Sequence, residues 1–198
     1  MDPTAALLAG LVAGLAIAMQ VGAVSLLLIE AAVTAGPRVG LAAGLGVATA
    51  DFGYAAVAAA AGGAVGAVLA GHEDEIRVVA GGVLAAIALH GLAKLRAEPG
   101  TAAVAPGRPY LRFLAITGAN PLTIASFAAV AAALSLDGAG AALAFTAGVG
   151  AASAGWHAIL SLAAGHAGRW VTPRVRRGLA IGGRLVVLGI AAHLVLAA

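Results

Sequence analysis

Asp51 stands in the run GLGVATADFGYAAV (Gly44–Val57), a carboxyl group among small apolar residues with no charged neighbour close in sequence. Such a group can take up and release a proton, or hold a cation such as an ammonium. Tyr54 lies one helical turn away, at i+3. Gln20, in AIAMQVGAVS, brings an amide that both donates and accepts hydrogen bonds. Asn120-Pro121, in ITGANPLTIASF, joins a second amide to a proline. The proline removes a backbone donor and opens a helical ladder about four residues earlier, near Thr117. Ser153 and His157 are i, i+4 and share a helical face, so nucleophile–base chemistry has to be weighed. No Gly-x-Ser-x-Gly elbow surrounds Ser153, and no carboxylate stands nearby in sequence to orient the histidine, so a hydrolase is not expected. His157 is then a packing residue, a cavity residue or a proton carrier. No two histidines on one helix have metal-ligand spacing, and neither a metal site nor a cofactor is expected.

What holds these groups is a membrane. Of 198 residues, 62% are hydrophobic and only 10% charged, where a soluble domain carries about 25% charged residues. Mean hydropathy is +1.05, more apolar surface than one core of this size can hide. The chain has no cysteine, which excludes disulfides, thiol redox chemistry and thiolate metal sites. With 4% aromatics and few charges, nothing points to nucleic acid. The N-terminal MDPTAALLAG has no basic region ahead of its apolar run, which reads as a retained first span rather than a cleaved leader.

A spanning helix needs about 20 mostly apolar residues. Six segments qualify, at 5–33, 39–70, 76–96, 110–134, 139–165 and 179–197. The expectation is an all-α integral membrane protein of one transporter domain, residues 1–198. Its halves run over about 1–98 and 108–198, joined by a polar, Pro-containing linker at about 97–109. Arg38, then Lys94, Arg96, Arg108 and Arg112, then Arg169, Arg174, Arg176 and Arg177 mark the first, third and fifth loops. By the positive-inside rule those loops face the cytoplasm and both termini lie outside the cell membrane.

Sliding the second half over the first places GLGVATADF (Gly44–Phe52) on GVGAASAGW (Gly148–Trp156). Gly44 then meets Gly148, Gly46 meets Gly150 and Thr49 meets Ser153, while Asp51 falls on the uncharged Gly155. Three spans per half give opposite topologies, the inverted repeat of many secondary transporters. Glycines four apart in GLVAG (Gly10–Gly14), GPRVGLAAG (Gly36–Gly44) and GLAIG (Gly178–Gly182) predict close helix packing without identifying an oligomer interface; a homo-oligomer is left open.

A charge near the bilayer centre costs about 2.5–3.5 kcal/mol on insertion scales, and those that persist usually face a cavity or a partner. Asp51 therefore either cements the bundle or lies on a substrate or proton path. Gln20 has the same two readings, an interhelical hydrogen bond or a cavity wall. Asn120-Pro121 is a plain kink or a cavity-lining break. Glu30, near a span end, reads as interfacial, and Arg184 as a side chain that snorkels to the cytoplasmic surface.

With these residues in view, the chain resembles the LysE/RhtB-type amino-acid exporter family over essentially its whole length, in an Ala/Gly-rich, actinobacterial-looking branch. The family's Pro-Gly-Pro-like turn in the first helix corresponds to MQVGAVS, where Gly22 is kept and Val21 and Ala23 occupy the proline places. Its Gly-rich second helix with an acid corresponds to GLGVATADFGY and Asp51, and its Asn-Pro ahead of an apolar run to Asn120-Pro121 through Phe127. Its small residues before a tryptophan correspond to GVGAASAGWH, ending in Trp156 and His157. The resemblance implies export of amino acids or similar small metabolites, driven by a proton or sodium gradient without ATP. In that setting Asp51 carries the coupling proton or meets a substrate ammonium, and Gln20 and the broken helix near Asn120 supply hydrogen bonds. The partners implied are the lipid bilayer, a small-molecule substrate such as an amino acid, and a coupling ion, the proton first. Two alternatives stay open. An ion or metal exporter would bring Asp51, Asn120 and His157 together, and a non-transporting membrane protein would show a closed, dry bundle.

Overall fold

Asp2 starts the first helix. Its carboxylate accepts hydrogen bonds from the Thr4 and Ala5 N–H groups (2.9 and 3.0 Å), and Pro3 follows in the first-turn position where a missing N–H costs nothing. The fold is that of a computed structural model, which describes residues 1–20, 22–61, 108–120, 138–170 and 172–196, with single residues between 72 and 93 and between 123 and 136. Helix is the only regular structure among them. In order these are α1 (Pro3–Ala18), α2 (Ala23–Ala35), α3 (Pro37–Ala61), α4 (Pro109–Gly118), α5 (Gly138–Ala167), a 3-10 turn (Gly168–Trp170) and α6 (Pro173–Leu196).

The expected first span, 5–33, is two helices bent by 75° across a four-residue break. The break survives without the prolines. Gly22 is extended, and the last turn of α1 closes on itself, Met19 N–H to Leu15 and Gln20 N–H to Ile17. The expected span 110–134 is likewise interrupted. α4 ends at Gly118, Asn120 lies outside helix, and the described residues from Thr123 to Val130 are helical again. α3 and α5 are each long and apolar enough to cross a membrane, and the bent α1–α2 pair makes a third span if counted as one. Most of the expected span 76–96, Pro121 and the linker up to residue 107 lie outside the described residues. The first loop is a single residue: Gly36, at φ +92, takes a conformation that side chains disfavour and turns the chain from α2 straight into Pro37.

α5 is the central post, packed against α1, α2 and α3, while α3 also packs against α4 and α2 against α6. Outward faces are apolar. Val12 and Leu143 are 70% and 72% exposed, with Leu45, Phe52, Val57 and Ile159 exposed around them, whereas Asp51, Ser153, His157 and Ser161 are buried. Polar inside and greasy outside is the arrangement a lipid solvent requires.

Backbones meet at the glycines. A Cβ on Gly10 or Gly14 would overlap the backbone of Phe145 or Val149, and one on Gly148 would overlap the Leu7 carbonyl oxygen and crowd the Leu11 nitrogen. On the other side of the bundle, a Cβ on Gly46 would overlap the Tyr110 carbonyl oxygen and crowd the Leu114 nitrogen. The α1–α5 and α4–α3 contacts are therefore alike in resting a helix backbone on a glycine. Gly44 lies against His157 and Ser161, and Gly150 against the Phe52 ring. The third glycine motif behaves differently: Gly178 and Gly182 on α6 have nothing within 4 Å of a Cβ position among the described residues.

Glu30 and Arg184 also depart from expectation. They form an ion pair of 2.7 Å between α2 and α6, each residue under 10% exposed, so neither side chain reaches out to the surface. The two apolar faces of α2 and α6 meet around them, so each charge finds its partner inside the protein before it can find water. Arg112 on α4 is near enough to act electrostatically on both.

Candidate functional site

The two helix breaks and the middle of α3 and α5 surround one polar cavity of about 30 Å³, room for one or two water molecules. Asp51 and Val47 of α3, His157 of α5, Gln20 and Gly22 of the first break, Thr117 and Asn120 of the second, and Thr123 beyond it line the cavity. Val24 and Ser25 of α2 and Ile17 and Ala18 of α1 complete it. Two apolar clusters flank it. One is built around Leu27, Leu28, Phe113 and Ile116, the other around Ala55, Phe127, Phe145 and Val149.

Asp51, 3% exposed, is held across the α3–α5 crossing by Ser153, whose hydroxyl donates to Oδ2 at 2.6 Å. The Ser153 hydroxyl has one proton, so toward His157 Nδ1 (3.2 Å) it accepts. His157 Nδ1 also lies 2.8 Å from the Ser153 carbonyl oxygen, and an N–H there satisfies both contacts. In the neutral ring Nε2 is then left as an acceptor. Serine, histidine and aspartate are thus in contact, but not as a hydrolytic triad. There the histidine stands between serine and carboxylate and takes the serine proton; here the serine stands in the middle and donates its hydrogen bond to the carboxylate. Ser161, one turn beyond His157, is fully buried, and its hydroxyl has no hydrogen-bond partner among the described residues.

The second break is stitched to its surroundings. The Asn120 N–H reaches the Thr117 carbonyl (3.0 Å) and Ala119 that of Ala115 (3.0 Å). The Gly118 carbonyl, next to Thr117 where the ladder was expected to open, accepts from the Tyr54 hydroxyl at 2.5 Å. Tyr54 does not line the cavity; its ring stacks on Phe127, centroids 5.9 Å apart. Asn120 Nδ2 donates to Thr123 Oγ1 (2.9 Å). The Gln20 side chain and the Ser126 hydroxyl lie within 3.3 Å, joining the first break to the helix that follows the second. Ser25 ties α2 back to the Gln20 carbonyl (3.2 Å). Thr117 is 1% exposed, and its Oγ1 has no partner among the described residues.

The cavity thus gathers Gln20, Asp51, Thr117, Asn120 and His157 from the residues singled out in sequence, with Gly22 at its edge. Trp156 is half-buried on α5 outside it, and Gly44, Gly46, Gly148 and Gly150 are packing positions. Ser25, Thr123 and Ser126 carried no sequence signal, being small polar residues in apolar helices. Ser161 had one, since Ser153, His157 and Ser161 repeat every four residues along one face of α5. Among the described residues no group of three or more His, Cys, Asp or Glu could hold a metal ion.

A family model described as LysE type translocator matches residues 15–198. No curated protein and no solved structure matches the chain.

Proposed function

Because the chain belongs to the LysE-type translocator family, a family of membrane transporters and not of enzymes, we propose that it is a secondary-active exporter of amino acids or similar small metabolites, driven by the proton gradient across the cell membrane. The observation that carries this reading is Asp51, buried where α3 crosses α5 and lining a polar cavity at which two helices break. A carboxyl group so placed can exchange a proton with the cavity or hold a cation such as a substrate ammonium there. Broken helices meeting at one site are the usual means by which transporters present backbone groups to a substrate.

In this reading the six spans form a 3+3 inverted repeat, each half beginning with a broken helix. The like packing of Gly46 on α4 and Gly148 on α1 supports it. Aligned on those two glycines, Asp51 corresponds to Ser153, the residue it bonds. The basic first, third and fifth loops face the cytoplasm, and both termini lie outside.

The test is efflux from loaded proteoliposomes under an imposed pH gradient. Asp51→Asn is expected to abolish gradient-driven efflux. Full efflux by that variant, at normal incorporation, removes Asp51 from the mechanism. A second reading, export of an inorganic cation, draws on the convergence of Asp51, Asn120 and His157 on one cavity of water size. Divalent or monovalent cation release from the same vesicles, in place of metabolite release, would establish it.

A further inference from the structure

α2 begins inside the protein at the cavity wall, with Gly22, Val24 and Ser25 among the lining residues. The N–H groups of a helix's first turn have no acceptor within the helix, and no side chain caps α2 at Gly22. At thirteen residues the helix is long enough to carry a macrodipole, and its positive end points at the cavity. Thr117 belongs to the same wall. Its hydroxyl is buried and has no hydrogen-bond partner among the described residues. A buried hydroxyl without a partner is uncommon in a native structure and asks for a ligand. Asp51 supplies the opposite charge on the α3 wall.

We propose that the uncapped N-terminus of α2 and the Thr117 hydroxyl form a carboxylate subsite, which holds the acid group of a zwitterionic substrate while Asp51 holds its ammonium. The proposal rests on the exporter reading and sharpens it. Recognition then resides in the backbone-plus-carboxylate end of the substrate, and compounds lacking the carboxylate are rejected. Backbone N–H donors at a helix start attract anions regardless of what the substrate carries beyond them. The cavity in this conformation is too small for an amino acid, so binding requires it to widen; the subsite groups already line it.

The experiment uses the full chain in proteoliposomes and matched pairs of cargo. L-leucine is compared with L-leucinamide, and L-lysine with 1,5-diaminopentane, which is lysine without its carboxylate. For each parent that is exported, the counterpart is expected to leave about tenfold more slowly or worse, the loss expected of a hydrogen-bonded charge. Thr117→Val, which keeps the shape and deletes the hydroxyl, is expected to raise KM for the parent about tenfold with kcat nearly unchanged; Thr117→Ser restores it. Equal export of parent and counterpart, or an unchanged KM in Thr117→Val, overturns the subsite and leaves the exporter reading standing. Export of none of the four compounds overturns the subsite together with the amino-acid reading.

Discussion

The Ser153 hydroxyl lies 2.6 Å from the Asp51 carboxylate and joins the two long helices α3 and α5 at the polar centre of the bundle. A hydrogen bond to a charged group contributes about 1.5–3 kcal/mol, so the pair sets where the carboxylate points as well as how tightly the helices cross. Ser153→Ala is expected to slow efflux about tenfold or more without abolishing it. Initial efflux rates of Ser153→Ala and the parent in one vesicle preparation test this; an unchanged rate in Ser153→Ala would separate the serine from the acid.

The Glu30–Arg184 pair gives a stability prediction of unusual shape. Removing one member of a buried ion pair typically costs about 3–5 kcal/mol, whereas replacing both by apolar residues is often neutral or better. Glu30→Leu and Arg184→Met should each lower the unfolding temperature in detergent, and the double variant should recover most of the loss. Single variants as stable as the parent would mean that water reaches the pair.

Glycine substitutions divide by packing. Gly148→Val and Gly46→Val must push α1 or α4 off their neighbours and are expected to cost about 1–3 kcal/mol each, as overpacking usually does. Gly53→Ala, where nothing lies within 4 Å of the new methyl, is expected to be tolerated. Size-exclusion profiles and thermal unfolding of the three variants distinguish these outcomes.

Asp2 provides a pH response at the edge of the membrane domain. The Ala5 N–H, and then the Thr4 N–H, hold its carboxylate below the ordinary range by bonding the charged form. The cap is therefore fully present above the unfolded-state pKa of about 3.9 and is lost as pH falls through the lower folded value. Amide-exchange protection at Thr4 and Ala5 should follow that course. In Asp2→Asn, whose side chain can cap without ionising, protection should stay flat over the same range. Protection in the parent that ignores pH would show the cap to be dispensable.

Composition alone determined that this chain lives in lipid, since so much apolar surface and so few charges leave no other solvent. The same economy singled out Asp51, Gln20 and Asn120, because a polar group stands out when its neighbours are Ala, Gly and Val. Close helix packing at Gly10, Gly14 and Gly148 followed from spacing, as backbone approach needs only the absence of a Cβ. The tertiary structure decided what these residues meet. Sequence spacing shows which residues share a helix face, but not which face of another helix opposes it; Asp51 and Ser153, on separate helices, could be joined only by folding. Glu30 and Arg184 looked peripheral because each lies near a span end, and only the docking of α6 on α2 made them a buried pair. The first helix break was hidden for a like reason. Without its prolines the run through Gly22 reads as continuous helix, and the 75° bend between α1 and α2 is legible only in the folded bundle, where both helices pack against α5.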